Sequence, residues 1–331
     1  MSRLEAEGIG FYRIRLGFIS LSLRWKPIIW TLDQLRYWPS LAVGYLKAIR
    51  AEAPNAIVHT NWHHALLLLP FLDRRRDIYW SHEIVARKRH YGWVFRAIAD
   101  RVALIVCVSN AVADRHLRNG VPAEKLVVIH NGITIRQAET SVNGRDHKRL
   151  RIGIVGQIGP WKGHDDLVEA FGLLAARYEA LTLIVFGKLG SEYVDRLKAR
   201  IEELGLQERT TWAGFVDDLE AIYRRMDICV VPSRVEDSLP TTAIEAGHFG
   251  LPVVATSRGG LPEIIDDGVT GLLVPSAAPQ ELAYAIGRLI RDSELRRRMG
   301  RDAVDRMRRL FSDEQFVDSF HRTLLGLGSR R

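Results

Sequence analysis

Cysteine is nearly missing from this chain: 331 residues hold two, Cys107 and Cys229. Both lie inside apolar runs, ALIVCVS and DICVVPS. They read as buried strand residues, and a disulfide framework is excluded. Neither stands in a His or Asp pattern that would mark a nucleophile. Long apolar runs are missing too. The densest, HALLLLPFL at 64–72, is too short to cross a bilayer. There is no basic-then-apolar start with a small-residue cleavage site, which predicts a cytoplasmic chain. His59, His63 and His64 cluster in VHTNWHH, but a His-rich strand end reads as polar lining rather than as a metal ligand set. The dinucleotide spacing G-x-G-x-x-G is absent from the glycine-rich stretch at 156–163, where Gly156, Gly159 and Gly163 are spaced differently.

What remains is a soluble globular composition, 47% apolar and 26% charged, at a length that suits two cores. The charge is uneven. Residues 1–150 carry 23 Lys and Arg against 12 Asp and Glu, and the rest carries 24 against 27. A basic half points to an anionic surface or ligand. The same half holds Trp25, Trp30, Trp38, Trp62, Trp80 and Trp93, and Trp beside Arg and Lys suits a membrane interface. A nucleic-acid partner is not expected, because no compact aromatic-basic module is present.

Short apolar runs rich in Val and Ile alternate with helical periodicity. The strand candidates are AIVHT (56–60), DIYWS (77–81), ALIVCVS (103–109), KLVVIHNG (125–132), LRIGIVG (150–156), LTLIVFG (181–187), DICVVPS (227–233), PVVAT (252–256) and GLLVP (271–275). Continuous apolar runs are typical of parallel strands covered on both faces. Helices are expected at 165–178 and 191–205. The alternation predicts doubly wound α/β sheets. One polar stretch, TIRQAETSVNGRDHKR (134–149), lacks periodicity and reads as a linker. The chain is therefore read as two tandem Rossmann-like α/β domains facing across a cleft. Ligands of such sheets bind at the carboxyl ends of strands.

Three segments carry candidate chemistry. In GQIGPWKGHDDLVEAF (156–171), a glycine-containing loop leads from strand to helix. Its amides and Lys162 suit a phosphate, or the loop is an ordinary connection whose lysine faces water. In PSRVEDSLPTTAIEAG (232–247), Pro240 suits the first turn of a helix. Thr241 and Thr242 would present free amides at its positive end, and Glu245 shares their face. Asp237 and Glu245 then grip one elongated ligand, or Asp237 caps the helix and Glu245 is simply exposed. In SRGGLPEII (257–265), Gly259 and Gly260 permit positive φ and close backbone approach. Pro262 and Glu263 open a helix whose dipole the acid favours.

Together these motifs resemble the family 4 glycosyltransferases, retaining nucleotide-sugar-dependent enzymes of the GT-B fold. SNAV…KLVVIHNG (109–132) looks like the end of the family's N-terminal domain, and GQIGPWKG like its phosphate loop. Residues 232–275 look like its donor signature with the Glu-x7-Glu pattern. The resemblance is clear over residues 100–300 and weak before them. It implies an N-terminal acceptor-side domain at 1–137, a linker at 138–149, a nucleotide-sugar-binding domain at 150–311 and a C-terminal helix at 312–331 that can return to the N-terminal domain. It further implies that Gly156, Gln157 and Lys162 meet the donor diphosphate. Asp237, or Glu236 beside it, would meet the transferred sugar, Ser238 and Leu239 would join the donor-binding residues, and the amides of Thr241 and Thr242 would hold the distal phosphate. Glu245 would hold the ribose, Gly259 and Gly260 would approach the donor, and His82 in YWSHE would reach the sugar from the N-terminal domain. Asp237, Lys162 and His82 form the implied catalytic set. No cofactor and no divalent metal are implied.

Three departures stand out. Gln157 replaces the family's usual Arg. Asp237 replaces Glu, with Glu236 beside it as a rival. The chain opens SRLEAEGIGFYRIRLG instead of on a strand, glycine-rich loop and helix, so the N-terminal domain is expected to be incomplete. The function implied is retaining transfer of a sugar to a lipid-linked or saccharide acceptor in cell-surface polysaccharide or lipopolysaccharide synthesis. The basic half would sit on the inner membrane surface. The alternatives are a nucleotide-sugar epimerase of the same tandem fold and a nucleotide-binding subunit without turnover.

Overall fold

The computed structural model describes residues 35–52, 54–85, 89–134 and 150–328. Trp25, Trp30, the expected missing first strand and the 138–149 linker lie outside these residues. The chain packs as two compact units. The first comprises the residues up to Cys107, Ala113–Val128 and the chain from Thr323. The second comprises Val108–Val112 and Ile129–Arg322.

Among the described residues, the first unit begins with helix α1 (Trp38–Glu52) and continues with β1 (Ile57–His59), α2 (Trp62–Leu67), β2 (Asp77–Ser81), α3 (Arg89–Ala99) and β3 (Leu104–Cys107). After α4 (Asn110–Arg118) comes β4 (Leu126–Val128). The four strands form one parallel sheet in the order β1-β2-β3-β4. Every residue of β3 is buried, as its unbroken apolar run requires.

The second unit carries β5 (Arg151–Val155), α5 (His164–Ala175), β6 (Thr182–Phe186), α6 (Glu192–Glu203), β7 (Thr210–Gly214) and α7 (Leu219–Tyr223). It continues through β8 (Ile228–Val231), α8 (Thr241–His248), β9 (Val253–Thr256), α9 (Leu261–Ile264), β10 (Gly271–Val274) and α10 (Pro279–Arg291). The long basic α11 (Ser293–Leu310) and α12 (Asp313–Gly328) close the chain. Six parallel strands run in the order β10-β9-β8-β5-β6-β7. The core forms where α5, α6 and α10 press Phe171, Leu197 and Ile286 onto the apolar strand faces.

The nine strand candidates all become strands, and β7 is the tenth. Its sequence TTWAG has no apolar run; it is an edge strand with no fully buried residue. Cys107 and Cys229 are buried in β3 and β8. Burial pushes both thiols up to about 12, so neither is a thiolate nucleophile at neutral pH. Among the described residues, no helix is long and apolar enough to cross a membrane.

Candidate active site

In the second sheet the strand order reverses between β5 and β8, which lie side by side although β6, β7 and their helices separate them in the chain. Such a switch point leaves the two following loops free to diverge and opens a crevice at the carboxyl ends. The loops that diverge here are Gly156–Gly163 and Pro232–Pro240, the same two that sequence motifs single out.

The first loop leaves β5 at Gly156, whose amide donates to the Phe186 carbonyl at 3.1 Å. It makes one 3-10 turn at Pro160–Lys162 and ends on Gly163 at φ +74°. A Cβ at Gly163 would lie 1.9 Å from the Pro232 carbonyl oxygen, so the two loops touch backbone to backbone. Arg234 strengthens the junction. Its amide donates to the Trp161 carbonyl at 2.8 Å. Its guanidinium grips the nearly buried Asp166 carboxylate through two bonds of 2.8 and 2.7 Å, a bidentate geometry. Lys162 then reaches across, its Nζ 2.5 Å from Asp237 Oδ2, with both side chains half-buried.

The second loop delivers the chain into α8. Pro240 is the residue just before the helix, at φ −63°, and not within its first turn as its sequence context suggests. No side chain caps α8. Asp237 is engaged by Lys162 and does not serve as the cap. The amides of Thr241 and Thr242 are left at an open, positive helix end, a ready site for an anion. Glu245 is half-buried and not simply exposed. Its Oε2 accepts a 2.6 Å hydrogen bond from the Tyr223 hydroxyl. Ser238 is half-buried, Leu239 buried, and Glu236 and Gln157 exposed.

Gly259, at φ +55°, and Gly260 have a neighbour the sequence did not disclose. A Cβ on Gly259 would lie 2.1 Å from the Asp237 carbonyl oxygen, and one on Gly260 2.2 Å from that of Ser238. The Gly260 amide donates to the Asp237 carbonyl at 2.8 Å. Their bare backbone therefore seats the Asp237–Leu239 loop. Glu263 also departs from expectation. It lies in the first turn of α9, but its carboxylate is spent elsewhere, accepting from the amides of Asn110 and Ala111 at 2.8 and 2.9 Å and from His130 Nε2 at 3.0 Å.

His82 belongs to the first unit. It is half-buried and stacks on Trp80 with ring centroids 5.0 Å apart, and burial lowers its pKa toward a neutral imidazole. The histidine cluster disperses. His59 binds Asp77 at 2.7 Å, and His63 stacks on Trp62 at 3.6 Å and bonds Asn61. No metal-ligating cluster occurs among the described residues.

Comparison with known proteins settles the family. Residues 135–306 match the family described as Glycosyl transferases group 1, and residues 19–137 match Glycosyltransferase Family 4. The D-inositol 3-phosphate glycosyltransferase of Corynebacterium glutamicum (strain R) is 37% identical over 312 residues, 88% of this chain and 71% of that protein. The chain is a family 4 glycosyltransferase. The namesake enzyme of Mycobacterium sp. (strain KMS) is 35% identical, and the match spans 62% of its length and 83% of this chain. The GDP-mannose-dependent alpha-(1-6)-phosphatidylinositol monomannoside mannosyltransferase of Mycobacterium tuberculosis is 27% identical over 73% of this chain and 69% of its own. Among solved structures, a glycosyltransferase from Rickettsia africae superposes with TM-score 0.82 at 19% identity, covering 98% of this chain and 87% of that one. Anabaena Alr3699/HepE in complex with UDP gives 0.77 at 23%, covering 87% and 82%. These structures share the fold, two parallel α/β domains of the GT-B class.

In this glycosyltransferase, Gly163 is the glycine whose added Cβ would meet the closest neighbour among the described residues. Gly163→Ala is expected to cost at least the 1–3 kcal/mol typical of a strained left-handed residue, about 3 kcal/mol once the Pro232 clash is added. A urea melt checks it, and an unchanged midpoint would show that the junction of the two loops yields freely.

Proposed function

We propose that this glycosyltransferase moves a sugar, with retention of anomeric configuration, from a nucleotide-sugar donor to a lipid-linked or saccharide acceptor. The observation that carries the reading is the uncapped N-terminus of α8, set at the strand-order switch between Lys162 and Glu245. A diphosphate at that helix end would meet the Thr241 and Thr242 amides and the Lys162 ammonium. In doing so it would replace Asp237 as the partner of Lys162. The released Asp237 carboxylate could then accept a hydroxyl of the sugar, with Ser238 and Leu239 backing it. Glu245 would take the ribose hydroxyls. As the glycosidic bond to phosphate breaks, negative charge grows on the leaving diphosphate, where fixed dipoles and Lys162 stabilise it. The departing phosphate would itself accept the acceptor's proton. With that charge compensated by protein groups, we assign no role to a divalent ion. His82 would approach the sugar as a neutral donor.

The names of similar proteins guide the choice of substrates. Relatives are called inositol phosphate and GDP-mannose-dependent transferases, and a structural neighbour was solved with UDP-glucose. An inositol-phosphate headgroup is therefore the first acceptor to offer, on a membrane surface that the basic N-terminal half would favour. The test is a thermal-shift panel of nucleoside diphosphates and nucleotide sugars, with and without EDTA. A true donor at 100 times its dissociation constant should add about 2.7 kcal/mol of stability. Transfer is then followed with that donor. Product that forms without acceptor would replace this reading with epimerisation. Binding without turnover in acceptor-containing membranes would replace it with a binding subunit.

A further inference from the structure

Tyr223 is a buried polar residue that the chemistry above leaves unused. It ends α7 on the crossover that carries the chain from edge strand β7 back to β8. Its side chain is 0% exposed, and its ring stacks on Phe249 just beyond α8, centroids 5.3 Å apart. The hydroxyl faces two acceptors, Glu245 Oε2 at 2.6 Å and the Thr242 carbonyl at 3.3 Å. One proton serves one of them well, and the shorter contact takes it. Burial, then the neighbouring Cys229 and Glu245, raise the Tyr223 pKa far above its ordinary value. The hydroxyl therefore stays a donor across the working pH range.

The Glu245 carboxylate has no other hydrogen-bond partner among the described residues. Without Tyr223 it would be a long acidic side chain on a helix, free to sample rotamers. With Tyr223 one oxygen is pinned and the other is left for a ligand. We propose that Tyr223 is a positioning residue: by fixing Glu245 it sets the site's preference for the vicinal hydroxyls of a ribose over a deoxyribose. The inference rests on the donor reading above and adds what orients its ribose contact. A purely structural tie between the crossover and α8 would look the same in the fold, but it would weaken every ligand alike. Positioning weakens only ligands that carry the ribose hydroxyls.

The test is calorimetric titration of wild type and Tyr223→Phe with UDP, GDP, their 2′-deoxy and 3′-deoxy counterparts, and inorganic pyrophosphate. Wild type should prefer the ribonucleotides. Because a hydrogen bond to a charged group is the one removed, Tyr223→Phe should lose roughly tenfold or more in ribonucleotide affinity. It should lose little for the deoxy forms and nothing for pyrophosphate. An unchanged ribose-to-deoxyribose ratio overturns the proposal, as does a parallel loss for pyrophosphate. Should Tyr223→Phe not fold, Glu245→Asp leaves the buried ring alone and draws the carboxylate back from the hydroxyl. Retention of the ribose preference there overturns the proposal equally. A wild type that binds none of these ligands overturns the donor reading itself, and this inference with it.

Discussion

Lys162→Ala is expected to lower transfer by about 10²–10³-fold, the effect typical of removing one preorganised group that meets developing negative charge. Nucleoside-diphosphate affinity should fall as well, because Lys162 meets the charge before and during bond breaking. The fall in turnover should exceed the fall in affinity, since the charge on the leaving phosphate grows toward the transition state. Folding should be nearly unaffected. The Lys162–Asp237 pair is half-buried and partly screened, so its loss costs little in the ligand-free protein. Lys162→Arg keeps the charge but exchanges a compact ammonium for a planar fork, so it should rescue only in part. Steady-state kinetics with the donor found by the panel would decide. Full transfer by Lys162→Ala would remove the loop after β5 from the chemistry, whatever the fate of the rest of the site.

The architecture was legible because burial writes itself into composition. β3 and β8 are covered on both faces, so their residues form unbroken apolar runs. β7 is covered less and left no such run. The two loops that meet at the switch point were legible as well, since each follows an apolar run and carries its glycines and charges locally. What joins those loops was not. Arg234 finds Asp166 68 residues away, and Tyr223 finds Glu245 22 residues away. Neither distance has a period that a one-dimensional pattern could show. Glu263 misled for a related reason. Its place at the start of α9 suggests a local dipole partner, but α9 is only four residues long. Its carboxylate serves the amides at the start of α4 and His130 instead. Gly259 and Gly260 read as glycines that admit a ligand. They also admit their own chain, because the Asp237–Leu239 loop fills the space a Cβ would need.

The largest expected loss of stability lies far from these loops, at Asp77. Its side chain is 0% exposed at the start of β2. One oxygen accepts from the Tyr45 hydroxyl and from His59 Nε2, the latter at 2.7 Å. The other accepts from the Asp73 amide at 2.8 Å and from Arg76 at 2.9 and 3.2 Å. One carboxylate thus joins α1, β1 and the turn that feeds β2. Asp77→Ala leaves a buried phenol, a buried imidazole and a half-buried guanidinium without their acceptor, a loss of about 3–5 kcal/mol. Asp77→Asn keeps the shape and one oxygen and should lose less. The pH dependence has a definite sign. Burial, the largest single influence, raises the carboxyl's pKa, but the hydrogen bonds from His59, Tyr45 and the Asp73 amide, with the His59 charge, together hold it below the ordinary value. Asp77 therefore stabilises fully above about pH 4, the unfolded value, and its contribution fades as acid protonates it in the folded state. Urea melts followed by tryptophan fluorescence, which Trp62 and Trp80 report from this unit, should show wild type and Asp77→Ala far apart at pH 7 and converging in stronger acid. A gap below about 1 kcal/mol at pH 7, the size of one ordinary hydrogen bond, would mean that water replaces the carboxylate and that the network does not hold the unit together.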